Sequence, residues 1–191
     1  GTVLSDFSYD IALGGEDTVY VTGATQTDDF PTTPGAFDTT CGTDGMCNMT
    51  DNQVCDYVLP GQLPICHADA KSDVFVARLD TSLSGAASLL YATYVGGTGH
   101  ESGLSIAVDG SGRATVTGKT ASPDFPLADP VQAAIGGNMD AFAFRLNAAG
   151  SGLDYATFVG GGGDWEAFVA RLDGGGEPAP SYRLFLPAVV R

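Results

Sequence analysis

An internal repeat is the feature of this chain that most constrains its fold. The phrase Ile11-Ala-Leu13 recurs 95 residues later as Ile106-Ala-Val108. A second phrase, Asp73–Asp80, recurs after only 67 residues as Asp140–Asn147, so the first copy carries 95 minus 67, or 28, extra residues between the two phrases. Duplication at this spacing is typical of proteins that stack copies of one supersecondary unit.

Each copy of the repeat predicts four short β-strands. Apolar residues alternate with small or polar ones along segments that end in turn residues, which is the pattern of antiparallel hairpins. No segment keeps a helical period, so we expect little helix. The expected strands are Phe7–Leu13, Thr18–Gly23, Val74–Leu79 and Leu89–Val95 in the first copy, and Gly103–Asp109, Arg113–Gly118, Asp140–Leu146 and Leu153–Val159 in the second. Aromatic residues of the repeated phrases are the core candidates: Phe75, Phe142, Phe144, Phe158 and Phe168.

The composition agrees with a turn-rich all-β protein and limits its partners. The chain has 27 glycines, 10 prolines and only 16% charged residues, and each glycine inside a helix would be unfavourable by about 1 kcal/mol. The formal net charge of −15 repels phosphate backbones, so we expect no nucleic-acid partner. The C-terminal apolar stretch Leu184–Val190 is far shorter than the ~20 residues that a helical span needs, so no membrane span is expected.

Five short phrases carry a family resemblance: Tyr91–Gly97, Ile106–Asp109, Val116–Gly118, Asp124–Pro126 and Phe75–Leu79. Together they resemble the consensus of SBBP repeats, a bacterial repeat related to β-propeller blades, over about 160 of the 191 residues. The resemblance implies a four-stranded antiparallel blade for each repeat, in a large secreted or cell-surface bacterial protein. It implies no enzymatic activity and no catalytic residues.

The expected architecture is β-propeller-like but incomplete. We expect a first blade over residues 1–96 with an insertion at about 38–72, and a second blade over residues 97–161. Residues 162–191 predict a partial third repeat, a Gly/Pro linker and a C-terminal strand. Closed propellers have about four to eight blades, so about two and a half blades predict an open structure. Because Gly1 aligns with Gly96 at a repeat boundary, we expect a processed chain or a fragment of a longer one.

An open array of blades predicts association between chains. It leaves apolar faces and unpaired strand edges, and both favour contact with another chain. We therefore expect copies of this chain to associate through open sheet edges. The C-terminal strand is the candidate for donation to a neighbour; the alternative is that it packs on its own chain as an edge strand. Its assembly residues are Tyr182, Leu184, Phe185, Leu186 and Val189.

All four cysteines, Cys41, Cys47, Cys55 and Cys66, fall in the insertion. An even number of cysteines in a chain of secreted type favours disulfides, and four cysteines allow three pairings. Zinc is the alternative, since His67 follows Cys66, but no Cys-x-x-Cys pair supports it. The compact loop between Cys41 and Cys47 resembles a Cys-Gly-Thr-Asp-Gly-x-Cys loop of the SBBP family. This resemblance points to the pairs Cys41–Cys47 and Cys55–Cys66.

The insertion also carries side-chain oxygens of the kind that bind calcium. Their spacing differs from that of an EF-hand, and a solvated acidic loop is the alternative. The predicted fold requires no cofactor, so calcium would be an accessory ligand. The weak candidates are Asp44, Asn48, Asp51, Asn52 and Asp56.

The chain shows no catalytic motif. His100 and Glu101 lie in a Gly-rich turn, with Ser5 and Asp6 at the equivalent place in the first copy. The glycine runs lead into strands, whereas a dinucleotide fingerprint must lead into a helix. Asp124 could serve glycoside cleavage, but it lies beside a repeated Phe-Pro, which favours a structural role. We therefore predict that the chain is not an enzyme.

These observations predict a non-enzymatic secreted or cell-surface structural protein. Its subunits would associate with one another into an extracellular fibre or sheath. The alternative is an adhesin-like binding module that recognises a surface polysaccharide or protein, with calcium as an accessory ligand. The two hypotheses differ in self-association, because a folded monomer at every concentration favours the binding module.

Overall fold

The structure, a computed structural model, describes residues 5–15, 17–42, 47, 53–56, 65–68 and 71–161, with only the backbone of 53–56 and 65–68. Over these residues the chain is all-β, as predicted, with one short 3-10 helix at Gly85–Ser88. The strands are β1 (Asp6–Leu13), β2 (Thr18–Thr25), β3 (Gln53–Asp56), β4 (Ile65–Ala68), β5 (Asp73–Asp80), β6 (Leu89–Val95), β7 (Glu101–Val108), β8 (Ala114–Thr120), β9 (Asp140–Leu146) and β10 (Leu153–Val159).

Each repeat forms one four-stranded antiparallel sheet. The strand order is β1-β2-β5-β6 in the first sheet and β7-β8-β9-β10 in the second. The two sheets are separate, and the described residues do not close into a ring. In the insertion, β3 and β4 form a two-stranded hairpin that the sequence analysis did not predict, because four-residue strands are too short to show an alternating pattern.

The two sheets share irregularities as well as strands. β1 is bulged between Ser8 and Asp10, and β7 is bulged at the equivalent place between Gly103 and Ser105. A second bulge occurs where β5 pairs with β6, and it recurs where β9 pairs with β10. Bulges set the local twist and direction of a strand. The duplication seen in the sequence therefore extends to the details of the backbone.

The second sheet packs face to face on the first. We call the side of the first sheet in this contact its front face, formed by Tyr20, Val74, Val76, Tyr91 and Val95. It packs on the back face of the second sheet, formed by Ile106, Ala114, Val116, Phe142, Phe144 and Leu146. The back face of the first sheet and the front face of the second are the equivalent sides that point away from this contact.

The predicted core residues lie in the interior wherever the structure describes them. Phe142, Phe144 and Phe158 are fully buried and Phe75 is 6% exposed, which confirms these predictions. Apolar burial of this kind contributes roughly 1.5–3 kcal/mol for each large side chain. Phe168 lies outside the described residues.

The outer edge strands are lined by loops of their own repeats. Beside β6, the Thr33 N–H donates to the Ala92 oxygen and the Tyr94 N–H donates to the Asp38 oxygen, both at 3.1 Å. Beside β10, a loop residue exchanges two backbone hydrogen bonds with Ala156, at 3.1 and 2.8 Å. An edge covered in this way is protected from pairing with another chain. The edges expected to be open are therefore occupied at β6 and β10.

The equivalence of the two repeats extends along these loops as far as Gly42. The Gly42 N–H donates to Asp73 Oδ2 at 2.7 Å, and the Gly136 N–H donates to Asp140 Oδ2 at 2.7 Å. The extra residues of the first repeat therefore lie between Gly42 and Asp73, in the later part of the expected insertion at about 38–72.

Candidate functional site

The back face of the first sheet is an apolar surface open to solvent. On β1, Ile11 is 60% exposed and Leu13 is 79% exposed. Before its bulge, the same strand exposes Phe7 and Tyr9 by 48% and 50%, and their rings stack with centroids 6.4 Å apart. Phe7 pairs with Ala24, opposite Val74, so it lies on the front-face side of the strand and not on the back face. The half-buried neighbours that complete the back face are Val19, Val21 and Leu79.

The equivalent surface of the second sheet is buried. Ile106, at the repeat position of Ile11, is 7% exposed, and Val116 and Leu146 are completely buried. The front face of the first sheet covers them. The same repeat position thus faces solvent in one sheet and an interface in the other. Adjacent exposed apolar side chains mark interaction surfaces, so the back face of the first sheet is the candidate functional site.

Two buried carboxylates hold the loops that flank the sheets. Asp73 and Asp140 begin the third strand of their sheets, and each is 2% exposed. Besides the loop N–H described above, Asp140 Oδ2 accepts a hydrogen bond from Gln132 Nε2 at 2.9 Å. Gly96 and Gly160 lie so close to these carboxyl groups that a Cβ atom there would overlap them. Repetition and internal hydrogen bonding assign these carboxylates a structural role.

Glu101, the first residue of β7, is a fully buried acid. Its Oε1 accepts hydrogen bonds from the hydroxyls of Thr120 at 2.7 Å and Ser122 at 2.6 Å, and its Oε2 accepts a backbone N–H at 3.1 Å. Burial raises the pKa of this carboxyl above its usual value, although the hydrogen bonds act in the opposite direction. Asp6 accepts the equivalent bond from Thr25 at 2.6 Å. Glu101 is therefore an internal brace between two strands and not the turn residue that the sequence predicted.

Replacing Glu101 with Gln should make the free energy of unfolding less dependent on pH. Because the folded-state pKa is raised, the stability that this group contributes is present below its unfolded-state pKa and is lost as pH rises through the folded-state value. The amide does not ionise, so the stability of the variant relative to the wild type should rise as the pH increases above the unfolded-state pKa of the glutamate. Urea unfolding over a series of pH values above that pKa measures the rise, with the exposed Asp28→Asn as control. Parallel curves for Glu101→Gln and the wild type would contradict it.

Ser72 and His100 form a hydrogen-bonded pair, but the direction of the hydrogen bond is opposite to that in a catalytic serine–histidine dyad. Ser72 Oγ lies 2.9 Å from His100 Nδ1 and donates its only proton to the Glu101 carbonyl oxygen at 2.7 Å. His100 Nδ1 must therefore donate the shared proton, whereas a general base would accept the proton of the serine. Ser72 is also only 1% exposed. The pair lies at a backbone bridge between residues 72 and 100, where the two repeats meet.

The cysteine pairing is confirmed where side chains are described. Cys41, Cys47 and Asp73 come close enough together to suggest a metal site. The two sulfurs, however, form the predicted disulfide, and a disulfide sulfur is not the thiolate that binds metals. In the hairpin of β3 and β4 the backbone register places Cys55 opposite Cys66. The Cys55–Cys66 bond stays a prediction that this register allows.

Several predicted site residues lie outside the part of the chain whose side chains are described. These are the calcium candidates Asp44, Asn48, Asp51, Asn52 and Asp56, the last with its backbone alone described, and the assembly residues Tyr182, Leu184, Phe185, Leu186 and Val189. Within the described residues, no helix combines the length and the apolar character that crossing a bilayer takes.

Comparison with protein-family models and with curated proteins finds no match to this chain. The resemblance to SBBP repeats therefore stays a prediction that rests on the repeated phrases.

Proposed function

We propose that this chain is a non-enzymatic structural protein of the secreted or cell-surface blade-repeat type, whose copies associate with one another into an extracellular fibre or sheath. One observation supports the proposal most. Ile11 and Leu13 are exposed on the back face of the first sheet, while the same face of the second sheet is buried by another sheet. A second copy can supply the missing cover.

The association we propose uses sheet faces more than sheet edges. The outer strands β6 and β10 already pair with their own loops, so backbone pairing there is blocked. A contact between two different surfaces of the same molecule is heterologous, and it forms a ring if it closes and a filament if it does not. Strand donation by residues 181–191 would add to this contact; a chain lacking those residues that still assembles normally would remove the donation step alone.

The disulfide and the proposed location agree with each other. Cys41 and Cys47 are 2% and 0% exposed and pack with Phe30 and Tyr94. Structural disulfides persist in oxidising environments outside the cytosol. This bond and the resemblance to SBBP repeats support a secreted or cell-surface location for a propeller-like blade array.

Replacing Ile11 or Leu13 with Lys should weaken self-association by about tenfold or more, because a charge would have to be buried in the contact. The isolated chain should stay folded, since both side chains already face water. Sedimentation over a concentration series measures the effect, and Val131→Lys, at an apolar residue that is 87% exposed, is the matched control. A wild-type chain that sediments as a monomer at every concentration would overturn the structural role.

Phe7 and Tyr9 favour a second candidate function, a binding module for a surface polysaccharide. Their half-exposed rings stack, and the equivalent residues in the second sheet are Ser102 and Leu104, so the fold itself does not require aromatic side chains here. Stacked rings offer a flat apolar platform with polar edges. This function is favoured if the wild type is a monomer that binds a glycan and if Phe7→Ala and Tyr9→Ala lose that binding. Repeating the binding assay with a chelator tests whether the binding depends on calcium.

A further inference from the structure

We propose that the surface that docks on the back face of the first sheet is the front face of the second sheet of another copy. The docking follows the register that the two sheets adopt within one chain, so copies add head to tail. This inference rests on the proposed function and names the partner surface that it needs.

The contact inside the chain is the template for the contact between copies. Within the chain, the front face of the first sheet presents Tyr20, Val74 and Val76 to the second sheet. At the same repeat positions, the front face of the second sheet presents Thr115, Ala141 and Ala143. These three side chains are only half-buried, whereas their equivalents in the first sheet are buried. Among the described residues, each copy therefore keeps one back face and one front face that no other sheet covers. One contact between successive copies covers both of these faces, and because the contact is heterologous it can repeat to form a filament.

At the position of Gly103, the contact between copies has one larger and one smaller side chain than the contact inside the chain, and these two differences in volume offset each other. Inside the chain, Gly103 lies against Thr22 and Val74, and a Cβ at this glycine would lie only 2.8 Å from Val74 Cγ1. Between copies, the glycine is replaced by Ser8 and the valine by Ala141. Ala141 has no Cγ atom, so the added Cβ of Ser8 has room on that side. The nearest atom to a Cβ at Gly103 is Thr22 Oγ1, so Thr117, the repeat equivalent of Thr22, has to shift to admit Ser8.

The charges also match across the proposed contact. Inside the chain, Arg78 Nη1 donates to the Ala148 oxygen at 3.3 Å, in the turn that follows β9. The repeat equivalent of Arg78 is Arg145, and the equivalent turn in the first sheet starts at Asp80. The same register therefore brings Arg145 of one copy to Asp80 of the next.

Arg145 is available for this contact. Its Nε makes no hydrogen bond in the described part of the chain. Asp154 Oδ2 lies 3.8 Å from this nitrogen, and both side chains are about one-third exposed, at 38% and 34%. Exposed pairs of this kind contribute little by themselves, so Arg145 can exchange this partner for Asp80 of another copy.

The test is a charge swap with the full chain. Arg145→Glu alone and Asp80→Arg alone should each weaken self-association by about tenfold or more, because each places like charges together. An equimolar mixture of the two variants should assemble like the wild type. In an alternating array, every junction then joins either the two substituted side chains, which carry opposite charges, or the native Arg145 and Asp80. Val131→Glu and Val131→Arg, each of which changes the net charge by one unit in the same direction as one of the test variants, show whether charge at an exposed site away from the contact matters, and thermal unfolding confirms that the variants are folded.

The outcomes separate this inference from the proposed function. Loss of assembly in the single variants with recovery in the mixture supports head-to-tail docking. Normal assembly of both single variants, with loss in Ile11→Lys, would mean that another surface covers the back face, which overturns the docking partner and keeps the proposed function. Loss in the single variants without recovery in the mixture also overturns the head-to-tail pairing. A wild-type chain that never associates overturns both.

Discussion

Gly118→Ala should lower the free energy of unfolding by about 3 kcal/mol, although it adds a single methyl group. Next to the bulge in β7, the Ser102 carbonyl oxygen lies against Gly118, and a Cβ there would lie well inside contact distance of that oxygen. It would also lie 2.7 Å from the Phe142 ring. The Ser102 carbonyl belongs to the paired backbone of β7, so it cannot move away without disturbing the β7–β8 ladder, and the two strands must separate locally.

The repeat supplies an internal replicate of this experiment. Gly23 meets the Phe7 carbonyl oxygen and the Phe75 ring in the same way, so Gly23→Ala should have a similar effect. Gly110→Ala is the matched control, because nothing lies within 4 Å of a Cβ at that position. Urea unfolding followed by circular dichroism measures all three. Equal stability of Gly118→Ala and Gly110→Ala would contradict the bulged pairing.

The strands were predictable from sequence because their signal is local. In β9, Phe142, Phe144 and Leu146 alternate with small or polar residues, and this order alone predicts a strand with one buried face. All three are fully buried. The observed bounds equal the predicted ones in β6, β9 and β10, and in the other five predicted strands they differ by one or two residues at one or both ends. The duplication strengthened the prediction because the same pattern was available twice.

The burial of Glu101 and the covered edge of β6 were not predictable from the sequence, because both depend on contacts between residues far apart in the chain. Glu101 is buried because it accepts hydroxyl hydrogen bonds from Thr120 and Ser122, and no local pattern identifies such donors. The edge of β6 is covered because Thr33 pairs with Ala92, 59 residues further on. Backbone pairing of this kind uses atoms that every residue has, so the sequence carries almost no mark of it.

The candidate site was only partly predictable, for a related reason. Ile11 and Ile106 occur in nearly identical phrases, yet one is 60% exposed and the other 7%. Both phrases predict a strand with an apolar face. Whether that face meets water or protein depends on which sheet has a neighbour, and this is a property of the array and not of the repeat.

Leu146→Ala should lower the free energy of unfolding by about 3–4 kcal/mol, because it removes a fully buried side chain and leaves a cavity. Leu79→Ala, the same change at the same repeat position, should lower it by about 1 kcal/mol or less in dilute solution. Leu79 is only half-buried on the uncovered back face, so less contact is lost. Urea unfolding at low protein concentration measures the difference between the two variants.

Protein concentration then connects this pair of variants to assembly. If copies dock on the back face, association covers Leu79, and Leu79→Ala should become more destabilising relative to the wild type as concentration rises. The effect of Leu146→Ala should stay constant, because its surroundings are the same in the monomer and in the array. If Leu79→Ala were as destabilising as Leu146→Ala in dilute solution, the back face would already be covered within one chain, and a second copy would have no surface to bind.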